Sequence, residues 1–351
     1  MRDIIVIGGS AGCFDPLRRI VHSLPQDFAA TLFVVVHVAA DAGCLLDGLL
    51  SRAGKLTASH PKDGEWIRSG HIYVARPDHH LTVQDGRVRV QKGPRENRHR
   101  PAIDPLFRSA ARVYGPRVIA VLLSGLLDDG SAGLLAVRRR GGVAIVQDPE
   151  EAKFGEMPRR ALRYAGADFI LPSAEIGPQV QTLTNAQKDE TMTEPKNENA
   201  KGGRPLADDP EGNLEVAFPE EGQGAPSVFA CPECHGVLWE LKDEKMVRFR
   251  CRVGHSYAPE SLSQELSHTT ETALWAAMRA LEEKAAMQRR VAESLGGMIS
   301  IARRLRDQSA ADDANAKVIR EMIFHRDDQL EEEGPEQRAA SYGRKLREPL
   351  L

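Results

Sequence analysis

The first half of the chain contains short apolar runs that are separated by segments with helical periodicity. Ile4–Ile7, Leu32–Val36 and Val118–Leu123 contain no charged or strongly polar residue, which is typical of parallel strands buried on both faces. Val143–Val146 and Ala167–Leu171 predict two further strands. Because strands that alternate with helices form parallel sheets, the sequence predicts an α/β fold. We expect a doubly wound, mainly parallel sheet in a Rossmann-like, three-layer arrangement.

Helices and one hairpin are predicted between these strands. Apolar residues at helical spacing predict helices over Phe14–Ser23, Asp104–Val113 and Leu134–Arg139. Ile67–Val90 instead alternates apolar and polar residues around Asp85-Gly86, a dipeptide that favours a tight hairpin turn.

The chain changes character after about residue 185. Lys, Glu, Asp, Asn, Gly and Pro dominate as far as Pro226, and such a segment buries too little apolar surface to offset its chain entropy. We therefore divide the chain into an α/β domain (1–183), a disordered linker (184–227), a small cysteine-containing unit (228–258) and a helical tail (259–351).

Composition narrows the classes of function. The formal net charge is −3 with 28% charged residues, so no basic excess points to nucleic acid as a partner. The N-terminus enters a strand-like run without a signal peptide, and Ala29–Ala40 is too short for a membrane helix, which needs about 20 residues. Five cysteines do not form a disulfide framework in a chain of this length. We expect a cytoplasmic protein without membrane insertion.

Candidate catalytic residues follow three of the predicted strands. Gly8–Gly12 matches G-x-S-x-G, the pattern of a sharp turn that exposes a serine hydroxyl, here that of Ser10. His37 follows the second strand and could take the serine proton. Asp128 or Asp129 follows the third strand and could orient the imidazole. The carboxyl ends of parallel strands meet at one edge of the sheet, where ligands bind. The three candidate groups therefore fall at the same edge.

Each of these residues also has an ordinary structural interpretation. Gly8–Gly12 could be a phosphate-binding turn, although it lacks the spacing and the lysine of known loops of that kind. His37 could be a hydrogen-bonded structural histidine, and either aspartate could cap a helix that begins near Ser131. The order Ser, His, Asp disfavours an ordinary α/β-hydrolase, in which the acid precedes the histidine.

The segments around these residues form a series of motifs in one order along residues 3–175. The motifs are Ile7–Gly12, Val35–His37, Gly70–Ala75, Asn97–Pro101, Asp104–Phe107, Leu123–Gly130, Gln147-Asp148 and Met157-Pro158. Together they resemble the catalytic domain of the CheB-type chemotaxis methylesterases.

The resemblance implies a serine carboxylic-ester hydrolase that works through an acyl-enzyme. It implies Ser10 as nucleophile, His37 as general base and acid, and Asp129 as the orienting carboxylate. It also implies an oxyanion hole formed by the backbone N–H groups of Ala11 and Leu126, with no metal or organic cofactor for catalysis. Residues 1–183 would then be the catalytic domain.

The resemblance further implies a substrate, the γ-methyl ester of glutamate on the cytoplasmic helices of chemoreceptors. Many members of the family also deamidate receptor glutamines. Arg98 and Arg100 either shape the substrate groove or are surface or structural arginines. The sequence departs from the family pattern at Cys13, Val36, Ala102 and Leu126–Asp128, and Val36, where a Gln is common, bears on the orientation of His37 and on substrate fit.

Typical members carry an N-terminal phospho-receiver domain, whereas the first strand here begins at residue 3. We therefore expect no receiver domain and no regulation by phosphorylation of one. Two other functions stay open: a signalling adaptor that retains the fold and docks a partner through its tail, and a hydrolase for an unrelated small ester.

The cysteine-containing unit resembles a zinc ribbon. Cys231 and Cys234 form one knuckle, and Cys251 with His255 forms a second knuckle sixteen residues further on. Thiolate and imidazole ligands suit a structural, tetrahedral Zn²⁺, although His235 competes as the fourth ligand and unliganded cysteines are the alternative. A unit of about 30 residues has too small a core to fold unaided, so a metal would make its folding possible. We expect this unit to have a role in regulation or partner docking.

The tail is predicted to be helical from Pro259 to Leu295, with a break at Gly296-Gly297 and a further charged helix through the 320s. Apolar residues at steps of three and four predict an amphipathic seam that Gln288 interrupts. The seam consists of Leu274, Met278, Leu281, Ala285, Ala292 and Leu295. We expect a helical hairpin or self-association through this seam.

Overall fold

A computed structural model describes residues 2–185, 224–243, 246–295 and 299–332. The described residues divide into two compact units, with the boundary between Ser263 and Gln264, and each unit is described by itself. No helix in the described part of the chain is both long and apolar enough to cross a membrane.

The first unit is built on a sheet of seven parallel strands. The first nine strands of the chain are β1 (Ile4–Gly9), β2 (Thr31–Val36), β3 (Thr57–Ser59), β4 (His71–Val74), β5 (His80–Gln84), β6 (Arg87–Gln91), β7 (Val118–Leu122), β8 (Val143–Gln147) and β9 (Phe169–Leu171). The sheet has the order β3-β4-β2-β1-β7-β8-β9, and every neighbouring pair is parallel. The chain leaves β1 in one direction toward β2 and returns on its other side as β7, which creates the switch point where α/β sheets bind ligands.

Helices cover both faces of this sheet. The helices are α1 (Phe14–Ser23), α2 (Leu46–Ala53), α3 (Ile103–Tyr114), α4 (Ser131–Arg139), α5 (Glu156–Tyr164) and α6 (Ser173–Asn185). Helices α1, α2 and α6 pack on the face that carries Ile5 and Ile7. Helices α3, α4 and α5, together with the β5–β6 hairpin, pack on the face that carries Ile4 and Val6. This arrangement confirms the predicted doubly wound, three-layer fold.

The predicted buried strands and the three predicted helices between them are present. The hairpin prediction is also confirmed: Asp85 and Gly86 form the turn between β5 and β6 with φ angles of 48° and 74°. Both residues are left-handed, as a turn that matches the twist of the strands requires.

Four elements escaped prediction because their apolar signals are short. Helix α2 buries only Leu50, β3 has three residues, and α5 begins with a Met-Pro pair that reads as a break. Helix α6 contains Pro178 and extends to Asn185, past the predicted start of the linker at residue 184. Most of that linker, residues 186–223, lies outside the described residues.

A small antiparallel sheet belongs to the same compact unit. Its strands are β10 (Ala225–Ala230), β11 (Val237–Asp243), β12 (Met246–Cys251) and β13 (Ser256–Tyr257). Its large buried side chains include Leu238, Phe249 and Tyr257. The two turns of the sheet, after β10 and after β12, carry the predicted metal-binding residues.

Two long helices, α7 (Pro259–Ser294) and α8 (Ile299–Glu332), follow this sheet. Within the second unit they run antiparallel, since Glu282 pairs with Arg320 whereas Arg289, further along α7, donates to Ser309 at 2.8 Å. All six seam residues predicted from the sequence are buried or half-buried. Gln288 lies in the seam with a buried Oε1 that has no hydrogen-bond partner among the described residues. The predicted break at Gly296-Gly297 lies outside the described residues.

Candidate active site

Ser10 stands directly after the central strand β1, in a tight turn that leads into α1. Its N–H donates to the Ser124 carbonyl at 2.9 Å, and its own carbonyl accepts the Cys13 N–H at 3.1 Å. Gly12 has a φ of +75°, and a Cβ added there would lie 2.9 Å from Ser124 Oγ. Only glycine fits that position, so the G-x-S-x-G pattern is needed to bring the serine turn against the loop that follows β7.

His37 lies beside Ser10 because the two strands that precede them are in register. Gly9 pairs with Val36, and the His37 N–H donates to the Gly9 carbonyl at 3.2 Å. The imidazole is 4% exposed and its Nε2 lies 2.7 Å from Asp129 Oδ2. Its Nδ1 is buried and has no hydrogen-bond partner among the described residues.

Asp129 lies in the loop between β7 and α4, where five donors converge on its carboxylate. These donors are His37 Nε2 at 2.7 Å, Ile103 N at 2.6 Å, Asp104 N at 3.2 Å, Asn97 Nδ2 at 3.0 Å and Gly130 N at 3.0 Å. Two of them are N–H groups in the first turn of α3, where the helix dipole favours negative charge.

The environment keeps Asp129 ionised. Burial alone would raise its pKa, but the hydrogen bond and charge of His37, the Ile103 N–H and the Asn97 amide together hold the pKa below its usual value. Because an ionised carboxylate can only accept, His37 Nε2 carries the proton and His37 Nδ1 is the basic nitrogen. Serine-protease triads use the two ring nitrogens in the opposite way.

A second carboxyl group, that of Asp104, lies behind the first. Its Oδ1 accepts the Gly133 N–H at 2.6 Å and its Oδ2 accepts Asn97 Nδ2 at 3.0 Å. Burial and the nearby charge of Asp129 raise the pKa of Asp104 to about 7. The amide of Asn97 therefore bridges an ionised carboxylate and a carboxyl group that is protonated at acidic pH.

A neutral imidazole covers the face of His37. The rings of His37 and His99 are stacked, with centroids 3.6 Å apart and planes inclined by 12°. Burial and the neighbouring His37 lower the pKa of His99 to about 3. His99 is thus uncharged at neutral pH and adds no positive charge against the ring of His37.

The two N–H groups predicted to form the oxyanion hole flank the serine. Ala11 follows Ser10, and Leu126 follows Gly125, where an added Cβ would lie 3.0 Å from Ser10 Cβ. No backbone carbonyl among the described residues accepts either N–H. Leu127 adopts a φ of 62°, a left-handed conformation that redirects the loop next to the serine.

Comparison with known proteins bears directly on this arrangement. A family model described as CheB methylesterase matches residues 5–180, which is half of the chain. A Leptospira interrogans protein named putative protein-glutamate methylesterase/protein-glutamine glutaminase is 35% identical over 175 residues, which cover 50% of this chain and 91% of that protein. The chain belongs to the CheB methylesterase family.

Further comparisons agree with this membership of the CheB family. A protein-glutamate methylesterase/protein-glutamine glutaminase of Anaeromyxobacter dehalogenans is 34% identical over 182 residues, but the match spans only 53% of that protein. The crystal structure of the Thermotoga maritima CheB methylesterase catalytic domain matches 52% of this chain and 99% of that domain, with a TM-score of 0.50 and 33% identity. The predicted methylesterase family and fold are therefore confirmed.

The two candidate groove arginines differ in their surroundings. Arg100 donates to Asp78 Oδ1 through Nε at 2.8 Å and to the Gly93 carbonyl at 2.6 Å, contacts that favour the structural alternative. Arg98 is half-buried, with a φ of 73°, in the turn that also holds Asn97. A role in the groove stays a prediction for both.

The predicted metal-binding residues come together in the C-terminal sheet, outside the region that the CheB family model matches. One ligand atom from each of Cys231, Cys234, Cys251 and His255 lies within 4.8 Å of all the others. The Sγ atoms of Cys234 and Cys251 are 3.5 Å apart, and His255 Nδ1 lies 3.4 Å from Cys251 Sγ. These separations are close to the edges, about 3.5–3.8 Å, of a tetrahedron around Zn²⁺ with Zn–S bonds of about 2.3 Å.

The surroundings of the cluster also suit a metal. His255 Nε2 lies 3.3 Å from Glu233 Oε2, and a carboxylate on the second ring nitrogen is typical of metal-binding histidines. The competing candidate, His235, is exposed and is not part of the four-residue group. The cysteines form no disulfide, so their thiols are available to a metal.

Asn97, His99 and Asp104 were not assigned a role from the sequence. Each lies within a motif that resembles the family, but their roles depend on contacts with Asp129 and His37, which are distant in the chain. The one signal available was the density of polar residues between Asn97 and Asp104 in a region that the fold buries.

Proposed function

We propose that the chain hydrolyses γ-methyl esters of glutamate side chains in the cytoplasmic helices of chemoreceptors, with Ser10, His37 and Asp129 as a catalytic triad. The observation that carries this proposal is the buried pair of Asp129 and His37, with an unpartnered Nδ1, beside the serine turn of a CheB-family chain. The names of the relatives support the same substrate class, glutamate in a protein.

The first half of the reaction forms an acyl-enzyme. His37 Nδ1 takes the proton of the Ser10 hydroxyl as the oxygen attacks the ester carbonyl. The N–H groups of Ala11 and Leu126 donate to the oxygen that becomes negative. The C–O bond to the methoxy group then breaks, and methanol leaves with the proton from His37 Nδ1.

The second half restores the enzyme. Water attacks the acyl-enzyme and gives one proton to His37 Nδ1, and Ser10 leaves with that proton. The product is a glutamic acid side chain, which ionises by releasing its remaining proton to solvent. Throughout, Asp129 stays ionised and stabilises the imidazolium. The same steps deamidate a glutamine, with ammonia as the leaving group. No cofactor takes part in this chemistry.

The cluster of Cys231, Cys234, Cys251 and His255 serves a different purpose in this proposal. It binds a structural Zn²⁺, which would cross-link the turns of a small sheet that has little apolar core. The helices of the tail offer a surface for self-association. A receptor substrate with cytoplasmic helices places the enzyme in the cytoplasm, with neither membrane insertion nor nucleic acid among its contacts.

The test is a demethylation assay with receptor that carries labelled methyl esters. We expect labelled methanol to be released by the purified protein and not by the Ser10→Ala variant. Release that is equal in the two proteins would refute the catalytic role of Ser10. No release from either protein would favour an adaptor, and rapid hydrolysis of a generic ester without receptor turnover would favour a small-ester hydrolase.

A further inference from the structure

The turn formed by residues 96–99 contacts both proposed catalytic partners of Ser10. Asn97 Nδ2 donates to Asp129 Oδ1 at 3.0 Å, and the His99 ring stacks on the His37 ring at 3.6 Å. The turn therefore provides one of the five donors to the Asp129 carboxylate and covers one face of the His37 imidazole.

Two residues at the centre of the turn have a left-handed backbone conformation. Glu96 and His99 exchange two main-chain hydrogen bonds of 3.2 and 2.9 Å, while Asn97 and Arg98 between them adopt φ angles of 47° and 73°. Residues other than glycine keep this left-handed conformation only where the surrounding structure holds them.

The structure that holds the turn is a clamp segment, residues 256–261, which begins in the last strand of the small antiparallel sheet. The Ser256 carbonyl accepts the Asn97 N–H at 2.8 Å. The Ala258 N–H donates to Asn97 Oδ1 at 2.9 Å. Because the Asn97 amide oxygen is held by Ala258, its nitrogen is directed toward Asp129.

The clamp segment makes a second contact on the residue next to Asp129. Ser261 Oγ donates to Asp128 Oδ1, and both side chains are buried. The adjacent Glu260 accepts a hydrogen bond from Tyr164 at 2.6 Å and forms an ion pair with Arg160 at 2.8 Å. The clamp segment therefore contacts the loop between β7 and α4, which contains Asp128 and Asp129, as well as the 96–99 turn.

The clamp segment follows the Cys/His cluster directly. His255, a member of the cluster, precedes Ser256, and its carbonyl accepts the Cys251 N–H at 3.0 Å. Tyr257 Oη lies 3.8 Å from Cys231 Sγ. A continuous series of contacts thus leads from the cluster through Ala258 and Asn97 to Asp129.

We propose that the clamp segment controls the chemical step by holding Asn97, a positioning residue, so that the carboxylate of Asp129 is fixed behind His37. This inference rests on the proposed role of Asp129 in ester hydrolysis. It assigns an active-site function to the clamp segment, which lies outside the residues that the family model matches. A purely structural interface between the two sheets would change stability and leave the turnover rate of the folded enzyme unchanged.

The decisive perturbation removes one donor. Ala258→Pro eliminates the N–H that Asn97 Oδ1 accepts, while the Ala258 carbonyl still accepts the Leu262 N–H at 2.9 Å. Tyr257 is in a strand, the extended conformation that a residue before proline requires. We expect kcat to fall about fivefold, the effect of one lost hydrogen bond, with KM unchanged.

A double-mutant cycle tests whether the effect passes through Asn97. In an Asn97→Ala background no side-chain acceptor is left, so Ala258→Pro should lower kcat by less than about twofold more. Effects that multiply instead would overturn the inference.

The second contact is tested by comparing Ser261→Ala, which we expect to lower kcat, with the control variant Ser227→Ala. Ser227 Oγ donates to the Leu238 carbonyl within the small sheet, so its loss should leave kcat unchanged. Equal kcat in the two serine variants would overturn the role of the second contact.

Two readouts separate this inference from the proposed function. The rate at which a fluorophosphonate labels Ser10 reports catalytic competence without receptor, and the downfield proton resonance of His37 Nε2–H reports its hydrogen bond to Asp129. If the wild-type protein is not labelled, the proposed function fails and the resonance alone decides the inference. A resonance that is unchanged in Ala258→Pro and Asn97→Ala would overturn the inference even where labelling proceeds normally.

Discussion

Replacing Asp129 with asparagine changes the charge of the triad without changing its shape, and the structure predicts where the new amide group will point. Asp129 Oδ1 accepts from three donors, Asn97, Asp104 and Gly130. Asp129 Oδ2 accepts from two, His37 and Ile103. An NH₂ group placed at Oδ1 would face three donors, so it will occupy the position of Oδ2.

In that position the new amide donates to His37 Nε2 and moves the ring proton to Nδ1. Nδ1 can then no longer accept the Ser10 proton, and the negative charge that stabilises the imidazolium is lost. We expect Asp129→Asn to lower kcat about 10⁴-fold, as for the wrong tautomer in other serine hydrolases. The Ile103 N–H loses its acceptor, which should reduce the free energy of unfolding by about 1–3 kcal/mol.

The neighbouring residue supplies a matched control. Burial and the nearby carboxyl group of Glu260 raise the pKa of Asp128 well above its usual value, which favours its protonated form. An asparagine keeps one acceptor for Ser261 and one donor for Glu260, and Asp128→Asn should change kcat by less than about threefold. Turnover and KM on methylated receptor, with thermal unfolding of both variants, test this pair. The reasoning is refuted if Asp129→Asn keeps kcat within tenfold of wild type, or if both variants lose activity equally.

Three other predictions concern stability, the serine turn and the metal. Because the pKa of Asp104 is raised to about 7, its contribution to stability is complete below about pH 4, the pKa of an unfolded aspartate, and is lost as pH rises through about 7. The melting temperature of Asp104→Asn should therefore depend less on pH over this range than that of the wild type. Parallel curves of melting temperature against pH would contradict this prediction. A Cβ at Gly125 would lie 2.7 Å from Met157 Sδ, so Gly125→Ala should lower labelling by a fluorophosphonate, whereas Gly43→Ala, with its nearest neighbour at 3.7 Å, should not. Metal analysis of freshly reduced protein should find about one zinc per chain and none in Cys251→Ser; a wild-type protein without metal would exclude the zinc site.

The sequence predicted the sheet well where its signals are local. The apolar runs that became β1, β2 and β7 placed Ser10, His37 and Asp129 at one edge, because the carboxyl ends of parallel strands meet there. The Asp85-Gly86 turn could also be predicted from the sequence, because few residue types adopt the left-handed conformation that such a turn requires. Helices with few buried apolar residues, such as α2 and α6, carried no comparable signal.

The parts of the site that escaped prediction depend on contacts between distant segments. Asn97 acts on Asp129, which is 32 residues away, and accepts from Ala258, which is 161 residues away. No periodicity or local motif encodes such contacts. From the sequence alone, without knowledge that α3 packs against the β7–α4 loop, Asn97 and His99 cannot be distinguished from ordinary polar turn residues.

The sequence also left open whether Asp128 or Asp129 is the working carboxylate, and the structure gives a physical reason for the choice. The two residues are adjacent and both are buried, so burial by itself would raise the pKa of each. What separates them is the set of facing groups, because five donors stabilise the anion of Asp129, whereas the carboxyl group of Glu260 disfavours the anion of Asp128. Because an ionised carboxylate holds His37 with Nδ1 unprotonated, Asp129 fits the proposed triad better than Asp128. The raised pKa of Asp128 disfavours a second negative charge behind the imidazole, while its carboxyl group still accepts from Ser261.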